Sequence, residues 1–130
     1  MVNVPMIAIV DDDESVREAT KGLIRSLGYA AATFASADEF LHSGRIQQTD
    51  CLITDVQMPG LSGVDLQTRL TAEGHRLPII FMTAFPDERI RGRALGAGAC
   101  GYLSKPFSDE SLIGCLNTAL KRHRGEIAEQ

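Results

Sequence analysis

Five short apolar runs alternate along this chain with stretches whose apolar residues recur at helical spacing. Residues 6–10 run into Asp11, Asp12 and Asp13, and residues 51–53 lead through Thr54 into Asp55. Residues 79–82 end at Thr83, residues 100–104 end at Lys105 and Pro106, and the alanine-rich residues 29–34 make the remaining run. Between them Val16, Ala19, Leu23, Ile24 and Leu27 line one helical stripe, and Val64, Leu66 and Leu70 a second. Leu112, Cys115, Leu116, Ala119 and Leu120 line a third. Shorter helical segments follow Ser36 and cover residues 87–95, the latter weakened by Gly92. Strands that alternate with helices through short loops lie parallel, with helices on both faces. The pattern therefore predicts an α/β fold, a (βα)5 doubly wound five-stranded parallel sheet. It does not predict the order of the strands.

Turn chemistry supports the boundaries. Asp13 reads as the cap of the first helix and Gly28 as its stop. Ser36 and Glu39 have the capping-box spacing, Ser62 and Ser108 precede later helices, and Gly44 and Gly74 close two of them. Met58-Pro59-Gly60 is a break that neither strand nor helix can continue. Asp109 and Glu110 open the last helix and Lys121, Arg122 and Arg124 close it, the polarity a helix dipole favours. Residues 96–101 match G-x-G-x-x-G, but they leave a helix and enter a strand. A dinucleotide-binding turn runs the other way, so this one is a helix stop.

In such sheets the functional crevice lies beyond the carboxyl ends of the strands. Asp11, Asp12, Asp55, Thr83 and Lys105 all stand at such ends, so they are predicted to converge. Each alone has a bland reading: the acidic run as helix capping, Asp55 as a turn residue before proline, Thr83 and Lys105 as ordinary surface groups. Their joint occurrence at four strand ends favours a site. Three carboxylates in one crevice repel one another, and a divalent cation relieves this. Few carboxylates plus waters suit Mg²⁺. An ammonium and a hydroxyl beside that cation suit the oxygens of a phosphoryl group, and a carboxylate can accept such a group covalently. The chemistry indicated is phosphoryl transfer onto an aspartate.

Composition narrows the classes further. At 130 residues the chain has the size of one domain, and its net charge of −4 argues against direct nucleic-acid binding by that domain. No apolar run is long enough to cross a bilayer and no secretory pattern opens the chain. Cys51, Cys100 and Cys115 lie in apolar segments, as expected of reduced thiols in a cytoplasmic protein. His42, His75 and His123 have no zinc-ligand spacing with them.

Val10-Asp11-Asp12, Asp55 with Met58-Pro59-Gly60, Thr83-Ala84 and Lys105-Pro106-Phe107 together resemble the receiver domains of bacterial two-component response regulators, the CheY-like family. The resemblance covers residues 5–123. It implies a flavodoxin-like three-layer sandwich with strand order 2-1-3-4-5. It also implies that Asp55 accepts a phosphoryl group from the phosphohistidine of a sensor histidine kinase. Asp12, Asp55 and the backbone carbonyl of Gln57 would hold Mg²⁺, with Asp11 acting through water. Thr83 and Lys105 would contact the phosphoryl oxygens, and Tyr102 would be the turning aromatic of the switch. Asp13 matches no ligand position and stays a helix cap.

The segment Tyr-Leu-Ser-Lys-Pro-Phe and the Gly-Ala-Gly-Ala approach to it resemble FixJ-type receivers, which control a DNA-binding partner domain. On that basis residues 1–124 are expected to form the receiver and residues 125–130 a tail or the start of a linker. The fourth helix, fifth strand and fifth helix are expected to form the switched surface and to support a homodimer after phosphorylation. A stand-alone regulator acting through protein contacts is the alternative. An Asp-nucleophile phosphatase would carry an acid at position 57, where Gln57 stands, and a flavodoxin-type module would carry hydroxyls, not three aspartates, after the first strand.

Overall fold

The computed structural model describes residues 4–123 and Gly125. Arg124 and, apart from Gly125, the tail or linker expected at 125–130 lie outside the described residues. The strands are β1 (Met6–Val10), β2 (Ala30–Phe34), β3 (Cys51–Asp55), β4 (Ile79–Thr83) and β5 (Gly101–Ser104). The helices are α1 (Glu14–Ser26), α2 (Ala37–Leu41), α3 (Gly63–Ala72), α4 (Glu88–Gly96) and α5 (Asp109–His123). A single 3-10 turn at Ile46–Gln48, which no sequence pattern announced, leads into β3.

All strand pairs are parallel, in the order β2-β1-β3-β4-β5. The chain thus moves from β1 to one side, then crosses to the other side of β1 to lay down β3. The crevice opens between β1 and β3, where the direction reverses. Register sets its depth: Val10 lies opposite Thr54, Asp55 opposite Met82, and Thr83 opposite Ser104. Asp11, Asp55, Thr83 and Lys105 consequently emerge at nearly one level.

Alternate residues of the central strands feed two cores. Ala8, Val10, Leu52 and Phe81 pack with Leu66, Leu70 and Ala94 on the α3–α4 side. Ile7, Ile9, Ile53, Ile80 and Met82 pack with Ile24, Leu112, Leu116 and Leu120 on the α1–α5 side. A fully buried side chain such as Phe81 or Ile53 contributes about 1.5–3 kcal/mol. Both faces of β3 and β4 are covered, which is why those runs are continuously apolar instead of alternating.

The expected caps are present. Asp13 accepts the Ser15 and Val16 N–H groups, Ser62 and Asp65 form a full capping box, and Ser108 Oγ accepts the Ser111 N–H. Glu39 departs from the expected box: it accepts the N–H of Ala35, one residue before the cap. Two strands start one residue later than their apolar runs. Tyr29 is still occupied with closing α1, its N–H donating to the Ile24 carbonyl at 3.3 Å, and β5 begins at Gly101, not Cys100. The G-x-G-x-x-G segment carries α4 into β5, with Gly98 at φ 102° supplying the reversal.

Candidate functional site

The site begins with Asp11, which leaves β1 with no exposed surface. Its Oδ1 accepts the Asp13 N–H at 2.9 Å and its Oδ2 accepts Lys105 Nζ at 2.8 Å. Both oxygens are occupied, as a buried carboxylate requires. The same ammonium stands 3.4 Å from Asp55 Oδ2, so Lys105 bridges two strand ends that are 50 and 94 residues away from it in sequence (105 − 55; 105 − 11). Asp55 is 6% exposed, and Asp12 is open to solvent with its carboxylate uncommitted. One oxygen from each of Asp11, Asp12 and Asp55 lies within 4.8 Å of the others.

Electrostatics follows from that crowding. Burial raises the Asp55 carboxyl above its ordinary range and the Asp11 charge raises it further, while Lys105 partly offsets both. Burial pulls the Lys105 ammonium down, but the hydrogen bond to Asp11 and the charge of Asp55 outweigh it, and the net shift is upward. Lys105 is therefore a permanent cation. The donor set is hard oxygen throughout, which fits Mg²⁺ and offers nothing to a soft metal.

Thr83 is fully buried at the end of β4. Its Oγ1 accepts the Phe85 N–H at 3.0 Å, which leaves its own hydroxyl proton available to a new acceptor. The Thr83 carbonyl accepts the Lys105 N–H at 2.7 Å, tying the hydroxyl and the ammonium to one local frame. Gln57 is exposed on the loop after β3, and its N–H helps to hold the Asp55 carboxylate. Tyr102 lies on β5 with its ring 6.5 Å from Phe81, and its hydroxyl is buried with no hydrogen-bond partner. A buried phenol without a partner is a costly arrangement and gives the side chain a reason to turn.

Three features escaped sequence reasoning. Arg17, which stands between the apolar positions of α1, is half-buried and donates from Nη1 to the Asp11 carbonyl at 2.7 Å. A basic residue one turn into a helix that starts beside an acidic loop was the available signal. Gly63 opens α3 against the back of β3, where any Cβ would collide with the Asp55 carbonyl. A cavity of about 490 Å³ lies between α1 and the segment after β5, lined by Val16, Thr20, Leu23, Lys105, Phe107 and Leu112 among others. It abuts the ammonium of the site.

A doubly wound sheet with carboxylates, an ammonium and a hydroxyl gathered at its switch point defines a receiver-like module. The family model described as the response regulator receiver domain matches residues 7–117, and the chain belongs to that family. It is 43% identical over 116 residues to the response regulator protein TmoT of Ectopseudomonas mendocina, covering 89% of this chain and 53% of that protein. It is 37% identical over 124 residues to the transcriptional regulatory protein FixJ of Azorhizobium caulinodans, covering 95% and 57%. Among solved structures, response regulator StyR superposes with a TM-score of 0.88 at 40% identity, over 95% of this chain and 63% of that one. The chain spans about half the length of the curated relatives it matches. Among the described residues, no helix is long and apolar enough to cross a membrane.

Proposed function

We propose that Asp55 accepts a phosphoryl group from the phosphohistidine of a sensor histidine kinase in a Mg²⁺-dependent reaction. The observation that carries this reading is the Lys105 ammonium bridging Asp11 and Asp55 inside a cluster of three carboxylates. Asp12, Asp55 and the Gln57 carbonyl would hold the ion, with Asp11 behind them through water. When bound, Mg²⁺ supplies neutralisation of the phosphoryl oxygens. An Asp55 oxygen attacks phosphorus, the P–N bond breaks, and its electron pair returns to the imidazole nitrogen. Lys105 turns from its carboxylates to the incoming oxygens, and the Thr83 hydroxyl donates to one of them. The domain is not an enzyme acting on a separate substrate but assists its own phosphorylation and dephosphorylation.

The new group carries roughly −1.5 to −2 charge. Drawing Thr83 toward it vacates space beside β4, and Tyr102, whose buried hydroxyl has no partner where it stands, turns into that space. The surface of α4, β5 and α5 changes with it and supports a homodimer, which sedimentation of activated and unactivated protein detects. Unchanged mass after activation points instead to a heterologous partner. On this reading residues 1–124 are the receiver and residues 125–130 a tail or the start of a linker. The names of relatives such as FixJ and TdiR, transcriptional regulatory proteins, favour a DNA-binding output domain and a cytoplasmic setting.

Fluorine NMR of the chain with beryllofluoride tests the site directly. Bound signal is expected only with Mg²⁺ present and Asp55 intact. Equal binding by an Asp55→Asn variant contradicts the assignment.

A further inference from the structure

The two ends of α4 are held in different ways. At its C-terminal end the Ala94 carbonyl accepts Gln67 Nε2 of α3 at 3.1 Å as well as the Ala99 N–H at 3.0 Å. The Gly98 carbonyl, just past the helix, accepts Arg122 Nη1 of α5 at 3.0 Å. Gln67 is only 4% exposed, so its amide is a polar group set into the core beside Leu66 and Leu70. Burial of such a group is tolerated when a carbonyl receives it, and here that carbonyl belongs to α4. Ala94 itself has no exposed surface and is the buried residue of its helix.

The N-terminal end has no such anchor. Asp87 caps the N–H groups of Arg89 and Ile90, a bond within the segment itself. The side chains of Glu88 and Arg89 are 89% and 91% exposed, and Phe85, which leads in from Thr83, is 70% exposed. Among the described residues, no hydrogen bond or ion pair from another element reaches residues 87–93. The end of α4 that adjoins the site is held to the rest of the domain by the packing of Ile90 on the core and by no polar contact from another element among the described residues.

We propose that Gln67 and Arg122 pin the C-terminal end of α4 as a pivot, so that displacement arriving from Thr83 swings the N-terminal end while residues 94–99 stay in place. Gln67 is thus a positioning residue of the switch. It sits on α3, the helix that Gly63 seats directly against the acceptor strand, so the pivot shares a frame with Asp55. Arg122 gives the same point a hold on α5. The source of the displacement rests on Asp55 being the phosphoacceptor, but the pin does not.

Residue-resolved amide hydrogen exchange on the full chain tests this, with and without Mg²⁺ and beryllofluoride. In the wild type, activation should change exchange several-fold at residues 90–93 and less than twofold at Gly98 and Ala99. Gln67→Met conserves volume and removes the donor. Without activation it should speed exchange of Gly98 and Ala99 by about three- to tenfold, the worth of one hydrogen bond. Arg122→Met, at the less buried of the two contacts, should act in the same direction and serves if the Gln67 variant does not fold. Equal change at both ends of α4 on activation, or unaltered exchange at Gly98 and Ala99 in the variants, overturns the proposal. Absence of bound beryllofluoride would instead contradict the phosphoacceptor reading, and the unactivated comparison would still decide the pin.

Discussion

Replacing Lys105 with methionine removes the cation that two buried carboxylates share, while keeping most of the apolar stem. Asp11 and Asp55 offer oxygens within 4.8 Å of each other, and at an effective dielectric near 20 two charges at that distance repel by about 3.5 kcal/mol. Breaking a buried ion pair typically costs about 3–5 kcal/mol. Here the cost is smaller, because the Lys105 side chain is 18% exposed and Asp55 can take up a proton in place of remaining charged. Lys105→Met is therefore expected to lower stability by about 1–3 kcal/mol at neutral pH with the metal chelated. Saturating Mg²⁺ should restore most of that, since an ion held a hundredfold above its Kd adds about 2.7 kcal/mol. The Mg²⁺-dependent gain should exceed that of the wild type, where an ammonium already occupies the carboxylates. Urea unfolding of both proteins, each with EDTA and with Mg²⁺, provides the four free energies. A Mg²⁺ gain in the variant equal to or below the wild-type gain refutes the reasoning.

Asp55→Asn should stabilise the metal-free protein at neutral pH. The folded carboxyl titrates above its unfolded value, so between the two the native state holds more protons and stability falls as pH rises. Removing the charge removes that fall, and urea midpoints across pH 4–8 that stay parallel for the two proteins would contradict it. Gly63→Ala should cost about 1–3 kcal/mol and weaken Mg²⁺ binding, because the new methyl must displace the Asp55 carbonyl. Calorimetric titration with unaltered Mg²⁺ affinity would show that the corner yields without moving the acceptor. Gln57 and Phe85 stand two residues after Asp55 and Thr83, and on the proposed reading they flank the path of a water attacking an acyl phosphate at Asp55. The ring cannot orient water, so Phe85→Glu or Phe85→Asn should speed dephosphorylation. Its 70% exposure excludes tight packing on the loop, and single-turnover decay that is unchanged or slower in these variants would remove it from the reaction.

Much of this was legible because of where the strands end. β3 and β4 are buried on both faces, so their apolar runs stop abruptly at Asp55 and Thr83, and local sequence marks the crevice without any tertiary information. Strand order was not legible from periodicity, which records faces and not neighbours; family resemblance supplied it, and the β2-β1-β3-β4-β5 sheet agrees. Contacts made through one long side chain were also hidden. The reach of Lys105 to Asp11, of Arg17 to a main-chain carbonyl and of Gln67 to Ala94 each depends on a rotamer and a helix orientation. The constraint on Gly63 arises only where the back of β3 stands against it, and nothing local in the sequence marks that approach.

Intact mass after treatment with a small phosphoryl donor tests the central claim most directly. The wild-type chain with Mg²⁺ should gain the mass of one phosphoryl group, and the gain should vanish with EDTA, in Asp55→Asn, and after mild alkali that hydrolyses acyl phosphates. Equal phosphorylation of Asp55→Asn, or a modification indifferent to Mg²⁺, would contradict Asp55 as the acceptor and this crevice as the site of transfer.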